Sequence, residues 1–266
     1  MDMLNKYPDI WIDGVSASSL GIRLQGPLQL DPLTPRVDVI SVPGRNGDVI
    51  NSDGSFANRR ARVTAYVYRP DFVQKSLGVI YKWIFGASTY RELVSSGDLE
   101  HYYRARVVNG GEVSDKIGKL LPFTIEFDCE PIRYSRDAEE YIEIPMGAGI
   151  YNASTVNAYP IYKIYYRNFP DHWVGQPLVM AHIFLRDSSN EDVGEIGIQI
   201  RSAPTASSGT VIFDSKTFGS EFSPDAATHP LRVVSSNGAP LTPGVQFFYW
   251  GDTIEKIEMI PRWCEL

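Results

Sequence analysis

The sequence predicts a mainly β protein in two parts: an α+β first part with one main helix packed on a sheet, then an all-β sandwich. Three observations carry that reading. Short segments alternating apolar with polar residues recur between Gly, Pro, Asn and Asp along most of the chain. A single stretch, 70–86, has clear helical spacing. Beyond residue 134 only strand-like segments follow, at the spacing of a sandwich. With 266 residues, 43% of them hydrophobic, the chain is long and apolar enough for one or two domains with real cores.

The elements follow in order. Segments 9–13, 20–24 and 36–42 read as short strands joined by tight turns. Pro43-Gly44-Arg45-Asn46-Gly47 reads as a reversal, because Asn-Gly tolerates the positive φ of a type I′ turn, and Asn51 to Gly54 reads as a second turn. Segment 60–69 is a half-buried strand with Ala61, Val63, Ala65 and Val67 on one face. A helix starts at Pro70-Asp71, carries Val73, Leu77, Ile80, Tyr81 and Ile84 on one stripe, and stops at Gly86. Segments 90–94, 102–108 and 120–130 are further strands, the last turning Phe123, Ile125, Phe127 and Cys129 inward. Periodicity is lost at 131–137, which sets the expected domains at 1–134 and 135–266. Seven strands follow at 159–166, 178–185, 194–200, 210–213, 231–234, 244–250 and 253–260.

Charge is divided unevenly. Residues 1–134 hold 16 Lys and Arg against 16 Asp and Glu, so the net charge of −7 lies entirely in the second part. An acidic surface is unsuited to gripping phosphate backbones. No apolar run approaches the roughly 18 residues of a spanning helix, which argues against membrane insertion. The first residues lack a basic segment followed by an apolar one, so synthesis in the cytoplasm is expected. Cys129 and Cys264 have no metal-type spacing with another Cys or His and read as buried or incidental thiols.

No catalytic pattern stands out in the sequence. The phosphate-loop, dinucleotide, zinc-protease, nucleophile-elbow and EF-hand patterns are absent from the sequence. His101, His172, His182 and His229 are scattered, and His182 reads as a packed or rim histidine. The acidic group Asp187, Glu191, Asp192 and Glu195 reads as a solvated loop before it reads as a cation site. Carboxylate pairs such as Glu139 with Glu140, or Glu255 with Glu258, have no specificity as a glycosidase dyad. Arg59, Arg60 and Arg62 form the densest basic group; an edge guarded by charge is the bland account and a subunit contact or charged channel the sharp one. Tyr159, Tyr162, Tyr165, Tyr166 and Trp173 have the chemistry to stack on sugar rings, yet core or sheet surface is the favoured reading. The expectation is a protein that is not an enzyme and needs no cofactor or metal.

In order along the chain, five groups of motifs resemble a known family. Ile12-Asp13-Gly14-Val15 and Ser19-Leu20-Gly21-Ile22 look like its opening hairpin, followed by Val42-Pro43-Gly44-Arg45-Asn46-Gly47. After the helix with Trp83, segment 99–105 is similar to its Tyr-Tyr-x-Ala strand. Segment 121–131 with Tyr134-Ser135 looks like the strand that closes the first domain. Asn157-Ala158-Tyr159-Pro160-Ile161 resembles the start of the second domain, and Ile260-Pro261-Arg262-Trp263 its ending. The family is that of the distal tail proteins of long, non-contractile-tailed phages (siphophages) infecting Gram-positive bacteria.

The resemblance implies a structural virion protein of the tail tip or baseplate, a homo-hexameric ring made by the first domains around a central channel. It implies a galectin-like second domain that projects outward. It implies attachment to the tail tube protein and the tail-associated hub protein, often with the receptor-binding protein, while DNA and the tape-measure protein pass through transiently. Short strands near 43–54 leave backbone groups that a neighbouring copy can satisfy, which places Val42, Pro43, Gly44, Arg45, Asn46, Gly47, Arg59, Arg60 and Arg62 at the expected subunit interface. The alternative is a carbohydrate-binding accessory protein for adhesion to the host wall.

Overall fold

A computed structural model describes residues 7–68, 70–109, 120–168, 178–201, 207–222, 232–235 and 237–266. The chain divides into two compact units, Met1–Arg133 and Tyr134–Leu266. Both are built on antiparallel sheets, and one α-helix is present among the described residues.

The first unit contains β1 (Ile10–Ile12), β2 (Val15–Ser16), β3 (Ile22–Leu24), β4 (Gln29–Leu30), β5 (Pro35–Ile40), β6 (Val49–Phe56), β7 (Arg59–Tyr68), α1 (Pro70–Phe85), β8 (Arg91–Ser95) and β9 (Asp98–Asn109). It is closed by the long β10 (Leu120–Ser135). Its main sheet runs β2-β1-β8-β9-β10-β7-β3, with β4 also on β7. The period of two decides which residues enter the core. Phe123, Ile125 and Phe127 stand opposite Ala65, Val63 and Ala61, all buried, so large side chains on one strand meet small ones on the next.

The helix lays Ile80, Trp83 and Ile84 into this core, and the Trp83 indole N–H donates to the Val15 carbonyl at 3.0 Å. Arg91 donates to the Trp83 carbonyl at 2.5 Å and pairs with Asp13 at 2.6 Å, which satisfies an orphan acceptor at the helix end. The expected stripe needs correction. Tyr81 is exposed and Trp83 is buried, because Trp83 shares the inward arc with Ile80 and Ile84; the side chains of Val73 and Leu77 lie outside the described residues.

The reversal near residue 45 also differs from expectation. The Arg45 N–H donates to the Val42 carbonyl at 3.1 Å and Gly44 has φ +82°, which is the type II pattern of Pro43-Gly44 and not an Asn-Gly type I′ turn. Asn51 to Gly54 is no turn. It lies within β6, where Gly54 has φ +79° and the register against β5 shifts between Pro35 and Val37, so the turn-like residues serve an irregularity in a ladder.

The second unit contains β11 (Ile142–Ile144), β12 (Gly149–Asn152), β13 (Ile161–Asn168), β14 (Leu178–Arg186), β15 (Asp192–Arg201), β16 (Ser207–Asp214), β17 (Gly219–Phe222), β18 (Arg232–Val234), β19 (Gly244–Trp250), β20 (Ile254–Ile260) and β21 (Cys264–Glu265). Two five-stranded sheets, β11-β20-β13-β16-β17 and β12-β19-β14-β15-β18, form a sandwich. Tyr162 of the first and Phe248 of the second are both fully buried, with ring centroids 6.1 Å apart. The Tyr162 hydroxyl donates to the Ala239 carbonyl at 2.8 Å, and burial pushes its pKa far up, so it stays a neutral donor. The chain end is tied in by Arg262, whose guanidinium meets both Asp214 oxygens at 3.0 Å. Cys129 and Cys264 are both buried thiols, and the Cys264 Sγ donates to the Asn157 carbonyl at 3.5 Å.

Candidate functional site

One widely exposed part of the first unit is a two-stranded ribbon of β5 and β6. Among the described residues, β5 and β6 pair only with each other and form a sheet of their own. Their register sets Val37 opposite Ser52, Val39 opposite Ile50 and Ile40 opposite Val49. Directly opposed residues share a face, so Val37, Val39 and Ile50 make one apolar face; they are 46%, 59% and 68% exposed. An isolated two-stranded ribbon in water is marginal, and an exposed row of β-branched side chains on it is a surface that asks for a partner.

The ribbon's base is firmly held. The Ala57 N–H donates to the Thr34 carbonyl at 2.9 Å and the Asp31 N–H to the Arg60 carbonyl at 2.8 Å. Asn58 donates to the Tyr90 hydroxyl at 2.6 Å and to Asp128 at 3.2 Å, tying the start of β7 to the body of the sheet. Within the ribbon, Ser52 donates to the Arg36 carbonyl at 3.1 Å. The Ser55 hydroxyl and backbone lower the pKa of exposed Asp53, which stays ionised.

The sequence-predicted residues fall at opposite ends of this ribbon. Val42, Pro43, Gly44, Arg45, Asn46 and Gly47 form its exposed tip, while Arg59, Arg60 and Arg62 lie just past its base on β7. A ladder of this length separates the groups by about 20 Å, at roughly 3.3 Å per residue, so they are not one cluster. Arg59 points with the inward residues and its guanidinium lies over the Tyr103 ring at 4.8 Å, while its Nε is buried with no hydrogen-bond partner. Arg60 and Arg62 are exposed, and Arg62 pairs with Asp31 at 3.0 Å.

Beside them the outer face of the sheet is a ladder of mixed charge. Arg60 stands opposite Asp128 and Arg62 opposite Glu126. Arg106 pairs with Asp128 at 2.9 Å, raising the Arg106 pKa, and Arg104 lies 3.8 Å from Glu130. Basic residues of β7 and β9 thus alternate with acidic residues of β10.

The residues sequence reasoning passed over are Val37, Val39 and Ile50. Their alternation is visible in the sequence, but the same alternation marks any half-buried strand; nothing in it says that the covering layer is missing.

Elsewhere the candidate groups are engaged. Glu255 is bound to Arg167, and Glu258 accepts from Lys256 at 2.7 Å and from the Tyr165 hydroxyl at 2.7 Å. Asp192 pairs with Arg186 and Glu195 with His182, while Asp187 accepts the Ser189 and Glu191 N–H groups. Among the described residues no group of three or more His, Cys, Asp or Glu side chains could hold a metal ion, and no helix is long and apolar enough to cross a membrane. Of the tyrosines weighed for sugar stacking, Tyr162 and Tyr166 are core residues; Trp173, His172 and His229 lie outside the described residues.

No protein-family model and no curated protein matches the chain. Solved structures do. The Dit protein (gp 19.1) of phage SPP1, described as a paradigm of the hub adsorption apparatus in Gram-positive infecting phages, superposes with a TM-score of 0.66 at 14% identity, over 96% of this chain and 98% of that one. A chain of the phage p2 baseplate in its activated conformation with Sr gives a TM-score of 0.54 at 9% identity over 95% and 96%. The corresponding structure with Ca gives 0.53 at the same identity and coverage. Over nearly its whole length, this chain shares the fold of the SPP1 Dit protein.

Proposed function

We propose that this chain is a structural protein of a phage tail tip or baseplate, and that it acts as a homo-hexameric ring and not as an enzyme. The observation that carries the reading is the end-to-end fold likeness to the SPP1 Dit protein. In this reading the first unit builds the ring, and the β5–β6 ribbon with its Val42 to Gly47 tip and the Arg59 to Arg62 stretch contact neighbouring copies. The second unit carries attachments to other tail proteins, the tube and hub proteins foremost, and the assembled protein resides in the virion.

Two local features support it. The ribbon presents apolar side chains with no cover of their own, and a closed ring of identical chains supplies that cover without leaving a free end. The mixed-charge ladder on β7, β9 and β10 is the kind of wall that DNA would pass without being held, since retention grows with the number of phosphates neutralised.

Solution mass by light scattering, with negative-stain images, tests it. The expected outcome is a ring-shaped particle near 180 kDa, about six copies of a 29.8 kDa chain. A 30 kDa monomer at every concentration overturns the ring.

A further inference from the structure

The second unit carries an apolar platform on the outer face of its β12-β19-β14-β15-β18 sheet. The pleat turns Met180, His182, Phe184 and Arg186 of β14 outward beside Phe247 and Tyr249 of β19. All six are exposed or half-buried, with Met180 39% and Tyr249 38% exposed. Two neighbouring positions on the same face are glycines: Gly149 stands opposite Phe247 and Gly197 opposite His182. A Cβ on Gly149 would lie 3.2 Å from the Phe247 ring, and one on Gly197 would lie 2.9 Å from the Met180 Cε. The missing side chains let Phe247 and Met180 lie down on the sheet, which flattens the surface; a glycine inside a strand often marks such a place of close approach.

Charged pairs are set among the rings. His182 bonds through Nδ1 to Glu195 and stacks on Phe184, with ring centroids 5.7 Å apart and planes within 9°. Arg186 donates to Asp192 at 2.8 Å and lies 5.5 Å from the Tyr249 ring centroid. We infer that this face binds an uncharged saccharide, whose C–H surface lies against the aromatic platform and whose hydroxyls bond to the two charged pairs. Each pair keeps hydrogen-bonding capacity after its mutual bond: the carboxylates have further lone pairs, and the guanidinium and imidazole have further nitrogens. Such a set of donors and acceptors, held at fixed places beside apolar surface, is the general make of a small-molecule site.

Charge and layout select this occupant. Arg186 and Asp192 neutralise each other, so no strong local charge calls for an ionic ligand. The net charge of −7 on residues 135–266 repels polyanionic sugar polymers. A protein partner fits less well, because the centres of protein interfaces are depleted of charged residues. Here the register sets Phe184 opposite Tyr249 on one side and Glu195 on the other, so charge stands between the rings and not only around them.

The test titrates the full-length protein with short oligosaccharides of glucose, galactose, rhamnose and N-acetylglucosamine, read by saturation-transfer NMR and calorimetry. The expected result is that at least one binds with a dissociation constant of about 0.1 to 1 mM. Tyr249→Ala removes a ring, and Gly197→Ala lifts the Met180 side chain from the sheet while adding only a methyl group. Each variant is expected to weaken binding about tenfold or more, roughly 1.4 kcal/mol, at an unchanged melting temperature. Tyr141→Ala, an exposed tyrosine beside β11 in the other sheet, is expected to leave binding intact. Absence of binding by every oligosaccharide at about 5 mM, or binding that both Tyr249→Ala and Gly197→Ala leave unchanged, overturns the site. A purified tail protein that binds the parent and not the Tyr249→Ala variant, where no saccharide binds, also overturns it and assigns the face to protein docking.

Discussion

Two antiparallel pairs in this molecule obey the same ladder geometry in opposite surroundings. In β13 and β20 the facing residues Tyr162 and Met259 are fully buried; in β5 and β6 the facing residues Val39 and Ile50 are more than half exposed. The backbone bonds are alike, so the difference lies in what covers the side chains. Burial of apolar surface at roughly 25 cal/mol per Å² stabilises the sandwich, and the ribbon gains little of it. The sandwich is held by its own chain, whereas the ribbon's apolar side chains do little for the chain that carries them.

The comparison is sharpened most by attacking the buried pair. Replacing Tyr162 by Ala is expected to destabilise the second unit by about 3 to 5 kcal/mol, the usual range for deleting a buried aromatic side chain, and it also leaves the Ala239 carbonyl without its donor. Urea unfolding followed by circular dichroism measures this, and a loss under 1 kcal/mol would refute the account.

A smaller effect is expected at Asp214, half-covered beside the chain end. Burial pushes its carboxyl up, but Arg262 and the Lys216 and Thr217 N–H groups outweigh burial and hold it below the ordinary carboxylate value. A depressed folded-state pKa contributes stability at pH above about 4, and that contribution is lost as pH falls through the folded value. Asp214→Asn should therefore cost about 1 to 3 kcal/mol at pH 7 and flatten the acid side of a melting-temperature profile. An unchanged acid limb would show that the pair is idle.

Breaking the other side of the comparison should do almost nothing to the isolated chain. A Val39→Ser, Ile50→Ser double variant is expected to change unfolding free energy by no more than about 0.5 kcal/mol per site, yet to abolish the 180 kDa species in light scattering. A variant that assembles normally would show that this face is not an interface. The smallest change is expected for Arg62→Ala, whose ion pair with Asp31 is open to water on both sides; such pairs contribute about 0 to 1 kcal/mol, and thermal melting in low and high salt should barely separate variant from parent.

The same contrast explains what could be read in the sequence. Strands with strict alternation and a buried face, β7 and β10 above all, declare themselves because Ala61, Val63, Ala65 and Val67 repeat at the period of the pleat. The helix was legible from its spacing, but its inward residues were not fully so. Trp83 and Tyr81 are both amphipathic aromatics, and only the surroundings of α1 decide that one donates to Val15 while the other faces water. Short strands β11, β12 and β17 are too brief for a period to show. Pro-Gly and Asn-Gly in one loop both signal reversal, and the backbone takes the Pro-Gly option. Of the candidate surface, the tip residues were visible as turn formers and the arginines as a cluster; the uncovered apolar face between them was not, because exposure is a property of neighbours.

The clamp at the ribbon's root has a kinetic consequence. Because Asn58, Tyr90 and Asp128 fix the exit of β6 and Ala57 closes onto Thr34, the ribbon leaves the sheet in a set direction with its strands already zipped. Binding it to anything then requires little further loss of chain freedom, and such preorganisation lowers the entropic cost of association. Encounter with a matching surface can proceed as rigid docking, without a folding step to slow capture.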